Sequence, residues 1–302
     1  MNTYMWRTFH LFVAGVFAVV LISLPTHVQA SSVDLVATLQ AKRIELQRQL
    51  QDSAFAEPLF LSSREGNDRL DGDLYAEIKH PFAEIGLAFK SPAVVCEWLF
   101  LHLNIHACQA ASTADGETLT LTAGPRRAFV PGMLYNMTYA MRVEAAQADY
   151  LKVTLSADQG PLSTRDYQIV FEVMPIDVDR SFVHFGYSYS YGSLAKVTMQ
   201  LYQATAGRAK VGFTVLGRNP EGLPLYVRGE RASLERNVMR NYLALLAYVS
   251  VKPGLAQEKK EARLRAWFVL SERYAVQLHE IEMETYLSEK HADMIRVASS
   301  KK

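Results

Sequence analysis

Eight histidines and two cysteines are the side chains of this 302-residue chain best suited to chemistry near neutral pH. His102 and His106 stand four apart, a spacing that puts two imidazoles on one helical face and lets them share a metal. The run before them has helical character and residues 103–108 alternate like a strand, so the pair straddles a change of element. No His-Glu-x-x-His pattern accompanies them, and no metal site is expected. His184 stands alone in Phe182-Val183-His184-Phe185-Gly186-Tyr187, on the phase opposite to Tyr187 and Tyr189, so it faces either an interior hollow or solvent. A lone histidine of this kind serves structure more often than catalysis. The carboxylates are scattered: Asp71 and Asp73 fall on the polar phase of a strand, while Glu258, Glu261 and Glu289 lie among lysines on helical faces. There is no Gly-x-Ser-x-Gly elbow, no phosphate-binding loop and no dinucleotide fingerprint. No catalytic residue and no cofactor is therefore assigned.

Cys96 and Cys108 have to be placed in a compartment first. Arg7 precedes an uncharged apolar run over residues 11–24, and Val28-Gln29-Ala30 offers small residues to a signal peptidase. Cleavage after Ala30, with export to the periplasm or the medium, is the expectation. The run is shorter than the ~20 residues of a spanning helix, and Ser31 is not a lipoprotein cysteine. In an oxidising compartment the two cysteines are expected to form a disulfide. Of 32 basic residues only Arg7 leaves with the signal, so basic and acidic residues balance at 31 each. That balance argues against a nucleic-acid partner, which needs a basic surface.

The elements that position these residues follow from periodicity. In residues 70–78 Leu70, Leu74, Ala76 and Ile78 fall on one face and Asp71, Asp73 and Glu77 on the other, a half-buried strand. Pro81 and Pro92 each open a short helix, and residues 31–52 give an N-terminal helix. Residues 58–61 form a brief strand, with 62–69 a polar turn. Alternating runs over 118–122, 137–143, 151–155, 167–173 and 182–191 give an antiparallel meander. Residues 192–229 are expected as a helical insertion, helical over about 194–206, glycine-punctuated over 207–213 and a loop over 219–225, and 229–251 as a long helix ended by Pro253-Gly254. From residue 256 to beyond 286 a last helix carries Trp267 and Phe268.

The order strand, two helices, six antiparallel strands, long helix resembles the helix-grip fold of the START-like (SRPBCC, birch-pollen-allergen-like) superfamily over residues 70–251. Asp73-Leu74-Tyr75-Ala76 before His80-Pro81-Phe82, the 98–108 segment, and Gly160-Pro161-Leu162-Ser163-Thr164-Arg165-Asp166-Tyr167 are similar to secreted bacterial members. The resemblance implies an α+β fold in which a curved antiparallel sheet grips a long C-terminal helix, with extra terminal helices. The organisation would be signal 1–30, N-terminal helix 31–55, grip domain 56–252 and C-terminal extension 253–302. It also implies a hollow for a lipid or other apolar small molecule between sheet and helix. Tyr139, Met141, Val143, Ile169, Phe171, Tyr187 and Tyr189 on the sheet, Tyr242 and Leu246 on the helix, and His184 are its expected lining. Alternating apolar residues also make ordinary core, so three readings stay open: a carrier or sensor, a cyclase- or hydrolase-like enzyme using His184 with Tyr187, and an envelope protein-interaction module. Arg126-Arg127, Lys196, Arg208 and Lys210 are available for transient contact with lipid head groups, or simply for solvation.

Overall fold

In the computed structural model, which describes residues 32–66, 68–114, 116–126, 134–192, 209–251 and 254–299, the alternating runs assemble into one antiparallel sheet. Its strands are β1 (Leu59–Gly66), β2 (Arg69–Ile78), β3 (Ile105–Thr113), β4 (Gly116–Ala123), β5 (Tyr135–Ala146), β6 (Leu151–Gln159), β7 (Arg165–Pro175) and β8 (Ser181–Ser190). Their order across the sheet is β1-β2-β8-β7-β6-β5-β4-β3, so the first two strands pair with the last and the remainder form a meander. β1 runs on to Gly66, through residues expected to turn, because Ser62 to Gly66 pair in register with Asp73 back to Arg69.

Between β2 and β3 lie two short helices, α3 (Phe82–Leu87) and α4 (Pro92–Leu99). The Ser91 hydroxyl accepts from Val94 N at the start of α4 and Pro92 occupies the first turn, where its missing N–H costs nothing. Cys96 on α4 is bonded to Cys108 on β3, with Cα atoms 5.3 Å apart. Trp98 is buried and donates through Nε1 to Ala88 O.

The long helix, α5 (Gly229–Ser250), crosses one face of the sheet over β1, β2 and β8. Gly72 permits the crossing: a Cβ there would stand 3.0 to 3.1 Å from Leu234 and Val238, so the bare backbone lets helix and strand meet. α4 covers β3 and β4 on this face, and Phe89, after α3, stacks on Phe171 of β7 at 3.9 Å. The other face is covered as well. α1 (Ser32–Glu45) and α2 (Gln47–Gln51) pack Leu39, Leu46 and Leu50 against Tyr150, Met174 and Phe182.

Two expectations about the remaining chain change. Residues 193–208, where the inserted helix was expected, lie outside the described residues. Residues 209–228 are not helical: β9 (Val215–Arg218) and β10 (Pro224–Tyr226) form a separate hairpin, with Gly222 at φ +79° in its turn. The C-terminal helix is broken into α6 (Ala256–Glu272), α7 (Ala275–Leu278) and α8 (Met283–Ser299). Arg240 of α5 holds the break by donating to Leu278 O and Glu280 Oε1, contacts that a straight helix would move away. The expected signal peptide also lies outside the described residues.

Candidate functional site: the tyrosine wall inside the grip

Register decides which predicted residues share a face. Gly72 and Leu70, beneath or beside α5, pair with Tyr187 and Tyr189 of β8; Tyr187 pairs with Ile169 of β7, Ile169 with Leu155, and Leu155 with Met141 of β5. Residues directly opposite in adjacent strands point the same way. Tyr139, Met141, Ile169, Tyr187 and Tyr189 therefore form one wall on the helix-facing side. Tyr167, which the sequence reading did not select, is its centre: it stacks on Tyr189 at 5.0 Å and meets Tyr187 at 6.2 Å and Tyr139 at 6.5 Å. The signal for Tyr167 was available, since it shares the phase of Ile169 and Phe171.

The turn before β7 fixes Tyr167. A Cβ on Gly160 would overlap its ring, so only glycine fits. The Tyr167 hydroxyl donates to Thr164 Oγ1 at 2.8 Å, while Leu162, Ser163 and Asp166 adopt φ of 56°, 63° and 54°. Three non-glycine residues in the left-handed region make this a strained turn, held by the groups around it.

Burial sets the electrostatics of the wall. It pushes the Tyr167 phenol up to about 12 and raises those of Tyr139, Tyr187 and Tyr189 as well, with neighbouring phenols adding to the effect. All four are neutral at physiological pH and present an apolar ring with one O–H. Tyr187 is only partly covered, whereas Tyr139, Tyr167 and Tyr189 beside it are buried.

The other predicted lining residues go elsewhere. Phe171 is covered by Phe89. Val143 is 48% exposed, near the bulge between Val143 and Ala145. Leu246 is buried in the core, and the buried Tyr242 hydroxyl lies beside Glu57, Tyr274 and Arg273, a separate cluster.

His184 is on the opposite face of the sheet. Its ring stacks on Tyr75 at 4.4 Å, Nδ1 meets Glu172 Oε2 at 2.7 Å, and Nε2 meets Asp73 Oδ1 at 2.9 Å. Two carboxylates accepting from both ring nitrogens describe an imidazolium. Burial alone would lower its pKa, but the hydrogen bonds to Asp73 and Glu172 outweigh it and raise the group. A constellation of His184 with Tyr187 in one cavity is therefore not what the chain builds.

The two other weighed histidines are structural. His102 Nδ1 accepts from Asn104 N, and burial with Arg240 and Lys290 nearby holds its pKa well below the ordinary value. His106 Nε2 donates to Gly124 O, and its Nδ1 faces Asp293 and Arg126. Among the described residues no group of three His, Cys, Asp or Glu side chains could hold a metal ion. Arg126, a candidate for lipid head groups, is instead buried against Asp293 Oδ2 at 2.6 Å, and Lys210 pairs with Glu280. Arg127, Lys196 and Arg208 lie outside the described residues.

One antiparallel sheet with a long helix across one face, and two short helices between its second and third strands, is the expected helix-grip arrangement, an α+β fold. Similar solved structures include human StAR-related lipid transfer protein 5, 10% identical, with 58% of this chain and 90% of that one covered at a TM-score of 0.33. A START superfamily protein from Mycobacterium smegmatis is 15% identical over 49% of this chain and 95% of that one, TM-score 0.30. The Zhui aromatase/cyclase from Streptomyces sp. R1128 is 9% identical over 72% and 94%, TM-score 0.30. No protein-family model and no curated protein matches the chain.

Proposed function

We propose that this chain is an exported carrier or sensor, periplasmic or secreted, that holds a lipid or other apolar small molecule against the tyrosine wall. One observation carries the reading: Tyr139, Tyr167, Tyr187 and Tyr189 set apolar rings and neutral hydroxyls side by side on the helix-facing side of the sheet, with Tyr187 only partly covered. Such a wall suits a ligand with an apolar body and an acceptor oxygen. Catalysis has less to work with, because the titrating group expected to share the cavity, His184, is committed to two carboxylates behind the sheet. Titration with an environment-sensitive apolar fluorophore tests the reading. The native chain should bind about one probe, and Tyr187→Trp, which fills the open surface, should weaken binding at least about tenfold. Equal binding by the two proteins, or none by the native chain, would reject it.

A further inference from the structure

A second place for a ligand lies outside the grip. α4, β3, α6 and α8 converge on a cleft of about 1170 Å3, at or above the top of the ~300–1,000 Å3 range of ligand clefts. Its apolar lining includes Phe100 and Ala110, Leu264 of α6, and Met294, Ile295 and Ala298 of α8, and the Cys96–Cys108 bridge forms part of its wall. None of these elements carries the tyrosine wall. Ile295 is 67% exposed and lines the cleft beside Met294 and Ala298.

The charges around the cleft are uneven. Arg263 donates to Glu97 Oε2 at 3.0 Å and lies over the Tyr248 ring at 3.6 Å; His291 Nε2 meets Glu261 Oε2 at 2.8 Å. Lys260 is exposed on the cleft and has no ion pair among the described residues. The opening thus offers one uncompensated ammonium above an apolar lining.

We infer that this cleft binds a single-chain amphiphile bearing one anionic head, carboxylate or phosphate, with the tail along the α4, α6 and α8 walls and the head at Lys260. An uncharged amphiphile would gain the apolar contact alone. A doubly acylated lipid would need more enclosed volume than one open cleft supplies.

Calorimetric titration of the full chain with dodecanoate, dodecyl phosphate and dodecanol, each below its aggregation concentration, tests the assignment. With the tyrosine wall filled by Tyr187→Trp, both anions should still bind at one per chain and dodecanol about tenfold more weakly. In that same background Lys260→Glu should bring the anions down to the alcohol, and Ala298→Trp should block all three. Thermal melting checks that the variants fold; should Ala298→Trp fail, the exposed Lys260→Glu decides. Co-sedimentation with phosphatidylcholine vesicles that contain lysophosphatidylglycerol, an anionic lipid with one acyl chain, lost in Lys260→Glu and absent without that lipid, supports the site with membrane lipid as its source. Binding of the soluble anions without sedimentation supports it with a free amphiphile as the source. Equal affinity for anions and alcohol, insensitivity to Lys260→Glu, loss of binding in Tyr187→Trp, or no binding at all would overturn it. Loss in Tyr187→Trp alone would place the amphiphile in the tyrosine hollow instead.

Discussion

His184 and Tyr187 stand three residues apart on β8 and project from opposite faces of the sheet: Tyr187 pairs with Gly72 under the long helix, while His184 bridges Asp73 and Glu172 behind it. The same strand therefore serves two environments, a helix-facing wall of neutral phenols and a partly buried ion network. Chemistry in one cannot draw directly on the other.

The ion network gives stability a particular pH dependence. His184 is raised, so its contribution is complete below the ordinary 6.5 and fades as pH climbs through the higher folded value. Glu172 is lowered: burial opposes its charge, but hydrogen bonds from His184 and Tyr150 prevail, so its contribution is complete above 4.5 and fades as pH falls through the lower folded value. His184→Gln should cost about 1–3 kcal/mol in that window. Denaturant melts across pH should show the deficit shrinking above neutrality; a deficit independent of pH would contradict the imidazolium assignment.

Gly160→Ala should displace Tyr167, since the new methyl overlaps its ring. The expected cost is about 1–3 kcal/mol, as for other overpacked sites, together with weaker probe binding at the tyrosine wall. Near-ultraviolet circular dichroism reports the stacked tyrosines directly, and an unchanged tyrosine signal would separate Gly160 from the wall.

Lys290 is a buried cation whose Nζ donates to Phe100 O, His102 O and Ile105 O, and it fastens α8 to the turn between α4 and β3. Lys290→Met keeps most of the stem but leaves those carbonyls without their donor, at a cost of about 2–4 kcal/mol. Limited proteolysis should then cut between α6 and α8 faster than in the native chain. Resistance equal to the native chain's would show that α8 is held by other contacts, such as Tyr286 Oη to Leu101 O.

The Cys96–Cys108 bridge closes a loop with a sequence separation of 12. A loop of this size contributes about 2–4 kcal/mol. Thermal melting with a reductant should fall by several degrees, and Cys96→Ala/Cys108→Ala should reproduce the fall while abolishing further sensitivity to reductant.

The architecture was legible wherever one face of an element is polar. Leu70 to Ile78 announces its period because its polar phase is only half-buried, and Leu234 to Val249 because its apolar side chains recur at three and four residues although nearly all of the helix is covered. Placement of His184 was not legible, because its strand is covered on both faces and phase alone does not say which cover holds a hollow. The loop over 219–225 was legible from Asn219-Pro220-Glu221-Gly222, but the strands on either side of it, Val215–Arg218 and Pro224–Tyr226, are too short for alternation to announce them. Lys290 and Asp293 sit on a helix whose composition suggests solvent on every side; their burial depends on carbonyls and on Arg126 far away in sequence. Tyr167 had the right phase, but its role comes from a strained turn that periodicity does not describe.

Native mass spectrometry of the protein purified from its own source, under gentle desolvation, tests the central claim most directly. The account predicts one apolar molecule per chain on the native protein, absent from Tyr187→Trp and retained by His184→Gln. A native protein that carries nothing and takes up no added apolar ligand, or a Tyr187→Trp variant that carries the same cargo, would contradict it.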